Sequence, residues 1–307
     1  MKLNILSLFD GIGCARVALS QCSNIKINKY FYSEIDKNCV KLTKKKFPSD
    51  FYLGAIEDIN PNLLPKIDLL IGGSPCQDLS NAHKGDGLNG IRSSLFYKFI
   101  KLKNILKPKF FLLENVKNKW SKVMDDKIGV KGVEFNSMYL SGQYRPRMYW
   151  TNITFKELKN EKKNINIKDI LEKRVESKYF LNLDIKRLIQ NNSKKKIIIG
   201  IKKKFEIPRS LLKDNERQRR IYDITGKSPT LLARSDTPKI YISNKIRKLT
   251  PLECERLQGL PDNYTSDFSN TTRYKMIGNG FTVPVIKYIL SNLGSSQIKK
   301  KQLSLFN

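Results

Sequence analysis

The stretch Ile67-Asp68-Leu69-Leu70-Ile71-Gly72-Gly73-Ser74-Pro75-Cys76-Gln77 is an apolar run that ends abruptly at two glycines and a proline. Such a run is typical of a buried parallel strand followed by a tight loop. Open α/β sheets bind ligands at the carboxyl ends of their parallel strands, and Cys76 is the first reactive group past this strand. An inert cysteine in a turn is the alternative, but Pro75 fixes the backbone immediately before this thiol. The pattern therefore predicts an α/β fold with Cys76 as a nucleophile.

The N-terminal residues predict the opening of a nucleotide-binding α/β unit. A strand-like run over 3–8 leads into the glycine loop Phe9-Asp10-Gly11-Ile12-Gly13, and a short helix is predicted over 14–19. Glycines in such a loop let the backbone approach a ligand closely. A second strand over 29–33 ends in Glu34, at roughly the 20-residue offset where an acid binds ribose hydroxyls. A surface glutamate without a ligand is the alternative for Glu34.

A candidate acid follows a later strand. The run over 110–113 predicts a strand that ends at Glu114-Asn115. A carboxylate at the end of a buried strand is expected to be desolvated, which suits a group that must hold or give a proton near neutral pH. A helix-capping role is the alternative, because a helix is predicted to begin near Lys117. Strand-like stretches over 133–140 and 148–153 flank Gln143-Tyr144-Arg145-Pro146-Arg147.

Charge and cysteine content limit the function classes. Lys and Arg number 58 against 28 Asp and Glu, a net charge of +30, which favours a polyanionic partner. Codon drift in an AT-rich genome is the alternative explanation for part of this excess, since Lys, Asn and Ile are all abundant. The five cysteines are odd in number and include no Cys-x-x-Cys pair, which argues against a disulfide framework or a metal site. We expect a reducing, cytoplasmic compartment, and no apolar run approaches the roughly 20 residues of a membrane span.

Composition changes after about Thr151. Residues 155–248 are rich in Lys, Asn and Ile and include the cluster Arg217-Gln218-Arg219-Arg220, which predicts a small basic domain that contacts nucleic acid. Helices are predicted over 251–258 and 283–292, and a polar, disordered tail follows. We therefore predict a catalytic domain over 1–154, a target-recognition region over 155–245, a return to the catalytic domain over 246–293, and the tail over 294–307.

In these segments the chain resembles the DNA cytosine-5 methyltransferase family. The family's blocks occur in order within residues 3–153 and 246–293, about two thirds of the chain. The matching segments are Phe9-Asp10-Gly11-Ile12-Gly13, Glu34, Pro75-Cys76-Gln77, Glu114-Asn115-Val116, Gln143-Tyr144-Arg145-Pro146-Arg147, 247–261 and Gly278-Asn279-Gly280. In the region between, Ser228-Pro229-Thr230-Leu231-Leu232 resembles the short element that holds the phosphate beside a flipped base.

The resemblance implies a Rossmann-like S-adenosylmethionine-dependent methyltransferase sheet with a small inserted target-recognition domain. It implies methyl transfer to carbon 5 of a flipped cytosine in a short DNA sequence through a covalent adduct with Cys76. The implied catalytic residues are Cys76, Glu114, Arg145, Arg147 and Gln143, and the first arginine supports the base carbonyl. The implied donor contacts are Phe9, Asp10, Gly11, Gly13, Glu34, Ile35, Ile56, Asp58, Pro75, Leu95, Asn279 and Phe281. The implied or candidate DNA contacts are Gln77, Ser80, Arg92, Thr230, Arg217, Arg219 and Arg234; for the last three, ordinary surface positions are the alternative.

Three positions depart from the family pattern. Ala55 stands where the family usually has the aspartate that binds the adenine amino group, so Asp58 or the backbone of Ile56 is the candidate replacement. Ile35 replaces a common aromatic residue after the ribose-binding acid. The final block reads Asn279-Gly280-Phe281, where a small hydroxyl residue is common after the asparagine.

Three other activities compete with this one. A tRNA cytosine-5 methyltransferase shares the catalytic blocks, but its branch carries an additional Cys-Phe-Thr element, and this chain has no cysteine between Cys76 and Cys254. A DNA-binding regulator on an inactive fold would be expected to lack Cys76, Glu114 or Arg145, and a small-molecule methyltransferase would not need the basic region. We expect double-stranded DNA as partner, a monomer without metal or membrane contact, a bacterial or phage-encoded origin, and a cognate restriction endonuclease as a further partner.

Overall fold

A computed structural model describes residues 1–74, 94–156, 158, 164–183, 196–198 and 200–294. Pro75, Cys76, Gln77, Ser80 and Arg92 lie outside the described residues, as does the predicted tail beyond Gly294. The chain folds into two compact units. The first comprises Met1–Phe135, Pro146–Glu157 and the described part of the chain from Val285, and the second comprises Asn136–Arg145 and Leu158–Pro284. The four-segment division proposed from the sequence stays a prediction.

Most helices match the sequence patterns. The described helices are α1 (Cys14–Ser20), α2 (Lys37–Lys46), α3 (Ser94–Leu106), α4 (Ser121–Ile128), α5 (Glu216–Arg219), α6 (Pro251–Gln258), α7 (Asn270–Asn279) and α8 (Val283–Leu290). Asp36 caps α2 by accepting from the backbone N–H groups of Asn38 and Cys39. The helix predicted from Lys117 begins only at Ser121, because the side-chain oxygen of Asn118 accepts from the Trp120 N–H and forms a turn instead. None of these helices has the length and apolar character that a membrane span needs.

The first unit is built on a seven-stranded sheet within the residues described. Its strands are β1 (Lys2–Leu8), β2 (Lys26–Ser33), β3 (Phe51–Tyr52), β4 (Leu69–Gly72), β5 (Phe110–Asn115), β6 (Val133–Asn136) and β7 (Pro146–Thr151). Their spatial order is β3-β2-β1-β4-β5-β7-β6. Strands β1 to β5 run parallel, whereas β7 is antiparallel to β5. The predicted α/β, Rossmann-like fold class is confirmed.

Strand β4, which contains the apolar run before Cys76, forms the centre of this sheet. Leu69, Leu70 and Ile71 have no solvent exposure, because β4 lies between β1 and β5 with packed side chains on both faces. Strand order reverses between β1 and β4, which is the switch point where open sheets bind ligands. A β-carbon at Gly72 would lie 2.9 Å from the Phe99 ring, so this close approach of α3 to the strand requires glycine.

The carboxyl ends of four parallel strands lie level along one edge of this sheet. One row of paired residues crosses them: Ser33 on β2, Leu8 on β1, Gly72 on β4 and Leu113 on β5. Glu34 and Glu114 immediately follow this row. Because neighbouring strands are about 4.8 Å apart, these two acidic positions are roughly 14 Å apart along the edge.

The predicted strand over 133–140 is shorter than expected. Strand β6 ends at Asn136, whose side-chain oxygen accepts from the backbone N–H groups of Met138 and Arg145. These bonds start a 3-10 turn over Ser137–Tyr139 and end the strand.

The second unit contains a six-stranded sheet among its described residues. Its strands are β8 (Phe180–Leu181), β9 (Lys196–Ile198), β10 (Ile201–Glu206), β11 (Arg220–Asp223), β12 (Lys239–Ile242) and β13 (Lys245–Lys248), in the order β8-β13-β12-β11-β10-β9. Helix α6 begins at Pro251 with a capping box between Thr250 and Glu253. Glu253 is fully buried and accepts two bonds, of 2.7 and 2.8 Å, from the Arg247 guanidinium, so it fixes α6 to β13.

Candidate active site

The loop after β1 has an unusual backbone that prepares it to hold a ligand. Phe9, Gly11 and Gly13 have φ angles of 56°, 61° and 72°, all in the left-handed region. This region is cheap for glycine and costly for phenylalanine, so strong local contacts must hold Phe9 there. A β-carbon at Gly11 would meet no atom within 4 Å, which leaves open space above the loop.

Glu34 ties this loop to the end of β2. One of its carboxylate oxygens accepts from the Gly11 N–H at 2.8 Å, and the other accepts from the N–H groups of Ile35 and Asp36 at 2.8 Å each. A carboxylate has about four acceptor positions, so Glu34 retains capacity for a ribose hydroxyl. Ile35 is 75% exposed beside it, and Ile56 is buried. The geometry is compatible with a nucleoside held against the loop.

Asp10 differs from the other predicted donor contacts. Its carboxyl group is buried and accepts a 2.7 Å hydrogen bond from the hydroxyl of Tyr30 on β2. The side chain therefore points beneath the loop into the protein. The sequence resemblance places Asp10 in the donor block, and its role as a donor contact stays a prediction.

Asp58, the candidate replacement for the aspartate missing at Ala55, lies next to the Ala55 backbone. Asp58 accepts a 3.1 Å bond from the Ala55 N–H and caps the 3-10 turn Ile56–Asp58. The carboxylate is exposed and lies beside the Gly54 backbone. Its role in replacing the aspartate missing at Ala55 stays a prediction.

A cavity at the edge of the first unit is a separate feature. About 610 Å³ in volume, it lies at the β3 edge among Phe31, Phe47, Phe51, Leu64 and neighbouring residues. Of the predicted donor contacts among the described residues, Asp58 is the one that lines it. Because the loop after β1 and Glu34 are absent from its lining, we do not assign it to the donor.

The predicted acid is paired with an arginine on the neighbouring strand. Glu114 lies at the end of β5, opposite Tyr149 on β7. Its carboxylate is 3.1 Å from Nε of Arg147, and both side chains are less than one-sixth exposed. Alternation along β7 puts Arg147 and Tyr149 on the same face, which brings the guanidinium diagonally next to Glu114.

Asn115 connects the acid to the strand that leads towards Cys76. Its side-chain nitrogen donates to the carbonyl and the hydroxyl oxygens of Ser74 at 3.2 and 2.9 Å. Both residues are buried, and Ser74 is the last described residue before Cys76. From the sequence, Asn115 has no assigned role beyond its place in the block Glu114-Asn115-Val116. Its contact with Ser74 could not be predicted, because the two residues are 41 positions apart in the chain.

The two arginines of the Gln143–Arg147 block occupy different environments. The boundary between the units passes between Arg145 and Pro146. Within the second unit, the buried Arg145 guanidinium donates to the carbonyls of Leu231, Gly278 and Gly280, each at 3.1 Å. Three of its five N–H donors are therefore engaged within the second unit, and the base-support role of Arg145 stays a prediction.

Gln143 is likewise a scaffold residue. It is fully buried, donates to the Gln258 side chain at 3.2 Å, and accepts from the Leu231 N–H at 2.9 Å. The neighbouring Thr230 hydroxyl donates to the Tyr144 carbonyl at 2.9 Å. The block thus holds the segment around Thr230, and the catalytic role of Gln143 stays a prediction.

The candidate DNA-reading arginines also separate into two groups. Arg219 donates to the carbonyls of Asp214 and Ile207 and pairs with Glu206 at 3.0 Å, so its guanidinium stabilises the second unit. Arg217 and Arg234 are exposed. Arg219 is therefore a structural residue, whereas the other two remain candidates for DNA contact.

The remaining predicted site residues are found in both units. Leu95 is half-buried at the start of α3 in the first unit. Asn279 is exposed at the end of α7, and Phe281 is buried, both in the second unit. In the described part of the chain, no group of three His, Cys, Asp or Glu side chains is arranged to hold a metal ion.

Comparisons with known proteins agree with these features. The family model described as C-5 cytosine-specific DNA methylase matches residues 3–127 and 137–295. Type II methyltransferase M.HhaI from Haemophilus parahaemolyticus is 29% identical over 325 residues, which cover 96% of this chain and 95% of that protein. Orphan methyltransferase M.SPRI from Bacillus phage SPR is 25% identical and covers 98% of this chain and 99% of its own length.

Solved structures share the fold at lower sequence identity. The Entamoeba histolytica methyltransferase EhMeth superposes with a TM-score of 0.71 at 17% identity, and the match covers 95% of this chain and 98% of that one. At this identity the match is evidence for the fold alone.

Proposed function

The chain belongs to the C-5 cytosine-specific DNA methylase family, and from this premise we propose that Cys76, Glu114 and Arg147 carry out its chemistry. The protein is a DNA (cytosine-5) methyltransferase that uses S-adenosylmethionine. The observation that supports the residue assignment is the pairing of Glu114 with Arg147. This pair lies beside β4, the strand that leads towards Cys76.

Carbon 5 of cytosine is too weak a nucleophile to attack the methyl group of a sulfonium donor without activation. The Cys76 thiolate adds to carbon 6, and the electron pair of the 5,6 double bond moves towards carbon 5. Glu114, as a carboxylic acid, protonates ring nitrogen 3 and favours this addition. The donor supplies an electrophilic methyl group on a sulfonium. A base then removes the carbon 5 proton, and the Cys76 sulfur leaves as the double bond re-forms.

Arg147 is proposed to take the role first given to Arg145. Its guanidinium holds the Glu114 carboxyl in place and has further N–H donors for the carbonyl of the base. The cytosine must leave the duplex to meet these groups, since its ring faces are stacked inside the helix.

Alanine substitutions of the two arginines are expected to have opposite effects. Arg145→Ala removes the guanidinium from the buried carbonyls of Leu231 and Gly278, whereas the Gly280 carbonyl keeps its bond from the Gln258 amide, so the free energy of unfolding should fall by roughly 3 kcal/mol. Arg147→Ala should change stability by less than about 1 kcal/mol and reduce the single-turnover methylation rate by on the order of 100-fold. Chemical denaturation and rapid-quench kinetics measure the two quantities. A stable, inactive Arg145→Ala protein together with an active Arg147→Ala protein would reverse the assignment.

The donor is proposed to bind the loop Phe9–Gly13, with Glu34 accepting from the ribose hydroxyls. The open space above Gly11 and the remaining acceptor capacity of Glu34 support this placement. Ile35, Ile56, Asp58 and Leu95 complete the proposed adenine surroundings within the first unit. Asn279 and Phe281 stay as proposed contacts of the family's final block.

Glu34→Ala is expected to weaken S-adenosylhomocysteine binding by on the order of 100-fold, because a ribose hydroxyl loses a charged acceptor and the Gly11 N–H loses its partner. Isothermal titration calorimetry measures this change. Glu57→Gln is the control, since the Glu57 carboxylate forms an exposed ion pair with Lys98. Unchanged affinity in Glu34→Ala would remove Glu34 from the donor site.

DNA recognition is proposed for the second unit and for the segment that contains Gln77, Ser80 and Arg92. The exposed Arg217 and Arg234 are proposed to contact DNA near Thr230, as guanine or phosphate contacts. We propose a monomer in the bacterial cytoplasm, encoded by a bacterium or a phage. The Type II name of M.HhaI supports a cognate endonuclease, and the orphan name of M.SPRI supports action alone.

A tRNA substrate is the second candidate, because the catalytic blocks are shared. Incubation with tritiated S-adenosylmethionine and either unmethylated duplex DNA or tRNA separates the two. We expect label in DNA alone. Label in tRNA alone would assign the chain to the RNA branch.

A further inference from the structure

The side chain of Asp10 forms a buried polar contact that the chemistry described above does not use. Asp10 is 3% exposed, and one carboxyl oxygen accepts from the Tyr30 hydroxyl at 2.7 Å. The other oxygen has no hydrogen-bond partner of ordinary geometry among the described residues, although the buried Ser7 hydroxyl is close enough to lower the pKa of the carboxyl group. Burying a carboxyl group with so few partners is costly, which calls for an explanation other than stability.

Asp10 occupies the middle of the strained donor loop. Its N–H donates to the Ser33 carbonyl at 3.1 Å, and its carbonyl accepts from the Gly13 N–H at 3.2 Å. On either side, Phe9 is held in the left-handed region and the Gly11 N–H donates to Glu34. The bond from the Tyr30 hydroxyl to the Asp10 carboxyl therefore adds a side-chain link between this loop and β2, besides the backbone bond to Ser33.

We propose that Asp10 is a positioning residue whose contact with Tyr30 holds the donor loop in the shape that presents Gly11 to Glu34 and the donor. This proposal rests on the assignment of the loop to the donor. In this proposal the Asp10 carboxyl does not contact the donor. It acts by fixing the backbone of the loop.

The charge on Asp10 responds to pH near neutrality. Burial raises the pKa of Asp10 to about 7; the neighbouring hydroxyls of Ser7 and Tyr30 oppose this shift, and the charges of Glu34 and Asp50 add to it. From α1, the Arg16 guanidinium pairs with Asp50 at 2.8 Å and lies 5.7 Å from the centre of the Tyr30 ring. Burial also raises the pKa of Tyr30, so its hydroxyl remains a donor throughout this range.

The sign of the stability effect follows from this pKa. The folded chain binds the Asp10 proton more tightly than the unfolded chain, whose carboxyl titrates near the ordinary value of 3.8. Stability from this group is therefore present at low pH and is lost as the pH rises to about 7. Above that pH the protein holds a destabilising buried carboxylate, which accepts a stronger, charge-assisted bond from Tyr30.

The ionised carboxylate also distinguishes the two forms of the donor. S-adenosylmethionine carries a sulfonium charge, and S-adenosylhomocysteine does not. A buried anion beneath the loop attracts the charged form in a region of low dielectric constant. The preference for S-adenosylmethionine should thus increase as the pH rises through about 7.

The Tyr30→Phe variant tests the anchoring contact, and Tyr32→Phe is its matched control. Tyr32 is a buried tyrosine two residues along β2 on the same face, and its hydroxyl has no hydrogen-bond partner among the described residues. Calorimetric titration with S-adenosylhomocysteine at pH 8 should show affinity about tenfold weaker in Tyr30→Phe and within twofold of the wild type in Tyr32→Phe. Equal affinities in the two variants would overturn the proposal.

The Asp10→Asn variant tests the charge. The preference for S-adenosylmethionine is the dissociation constant of S-adenosylhomocysteine divided by that of S-adenosylmethionine. Between pH 6 and pH 8 this ratio should increase by on the order of fivefold more in the wild type than in Asp10→Asn. The amino group of each ligand titrates equally in both proteins, so the variant supplies the baseline. Without ligand, Asp10→Asn should raise the unfolding midpoint at pH 8 more than at pH 5.5. Parallel pH profiles would overturn the proposal, whereas failure of the wild type to bind either ligand would overturn the donor-site assignment instead.

Discussion

Replacing Cys76 with serine is expected to reduce methyl transfer by on the order of 10⁴–10⁶-fold, the scale of losing a covalent nucleophile. A serine hydroxyl is far less acidic than a thiol, so the variant cannot supply the anion that adds to carbon 6. DNA affinity should stay within a few fold, because binding depends mostly on charged groups elsewhere. Rapid-quench single-turnover assays and fluorescence anisotropy measure the two effects.

A covalent trap sharpens this test. DNA with 5-fluorocytosine in the target cannot lose a proton from carbon 5, so the enzyme–DNA bond should persist on a denaturing gel. We expect a shifted band with wild type and none with Cys76→Ser. Cys22→Ser is the matched control, because the Cys22 sulfur lies within hydrogen-bond distance of the Ala18 carbonyl and the Ser291 hydroxyl, which serine can also use. A band of normal intensity from Cys76→Ser would remove Cys76 from the mechanism.

Glu114→Gln should slow the formation of this covalent complex by about 10²–10⁴-fold, the usual contribution of a positioned acid. The amide keeps the shape of the carboxyl group but cannot give its proton to ring nitrogen 3. Glu134→Gln serves as control, since Glu134 is exposed and pairs with Lys117 on the surface. The double variant Glu114→Gln/Arg147→Lys should lose less than the two single losses combined, because the two side chains act as one pair. An unchanged single-turnover rate in Glu114→Gln would exclude it as the acid.

Much of the first unit could be predicted because local patterns and tertiary structure agree there. The apolar run ending at Gly72 can be buried on both faces only as a central strand. Thr250, Pro251 and Glu253, in the second unit, form a helix start whose chemistry is complete within four residues. Such signals depend on near neighbours in the chain, so they remain visible in the sequence.

The different environments of Arg145 and Arg147 could not be predicted from such local signals. Arg145 and Arg147 are two residues apart, so an extended chain would place both on one face. Strand β7 begins only at Pro146, and the chain passes from one compact unit to the other at that point. Which arginine meets Glu114 depends on where the strand begins, and that is set by long-range packing.

Side-chain direction was the other feature that could not be predicted from the sequence. The motif places Asp10 in the donor block, yet its carboxyl reaches Tyr30, 20 residues away in sequence. Arg219 lies in a basic cluster that is typical of a DNA-binding surface, but it satisfies carbonyls within its own unit. Both outcomes depend on partners that only the folded chain brings near.

We expect this chain to methylate carbon 5 of cytosine at one short DNA sequence through Cys76. Bisulfite sequencing of unmethylated plasmid DNA, treated with S-adenosylmethionine and either wild type or Cys76→Ser, tests it most directly. We expect protected cytosines in one fixed sequence context with wild type and none with the variant. Protection that is absent with wild type, or equal for both proteins, would contradict the claim.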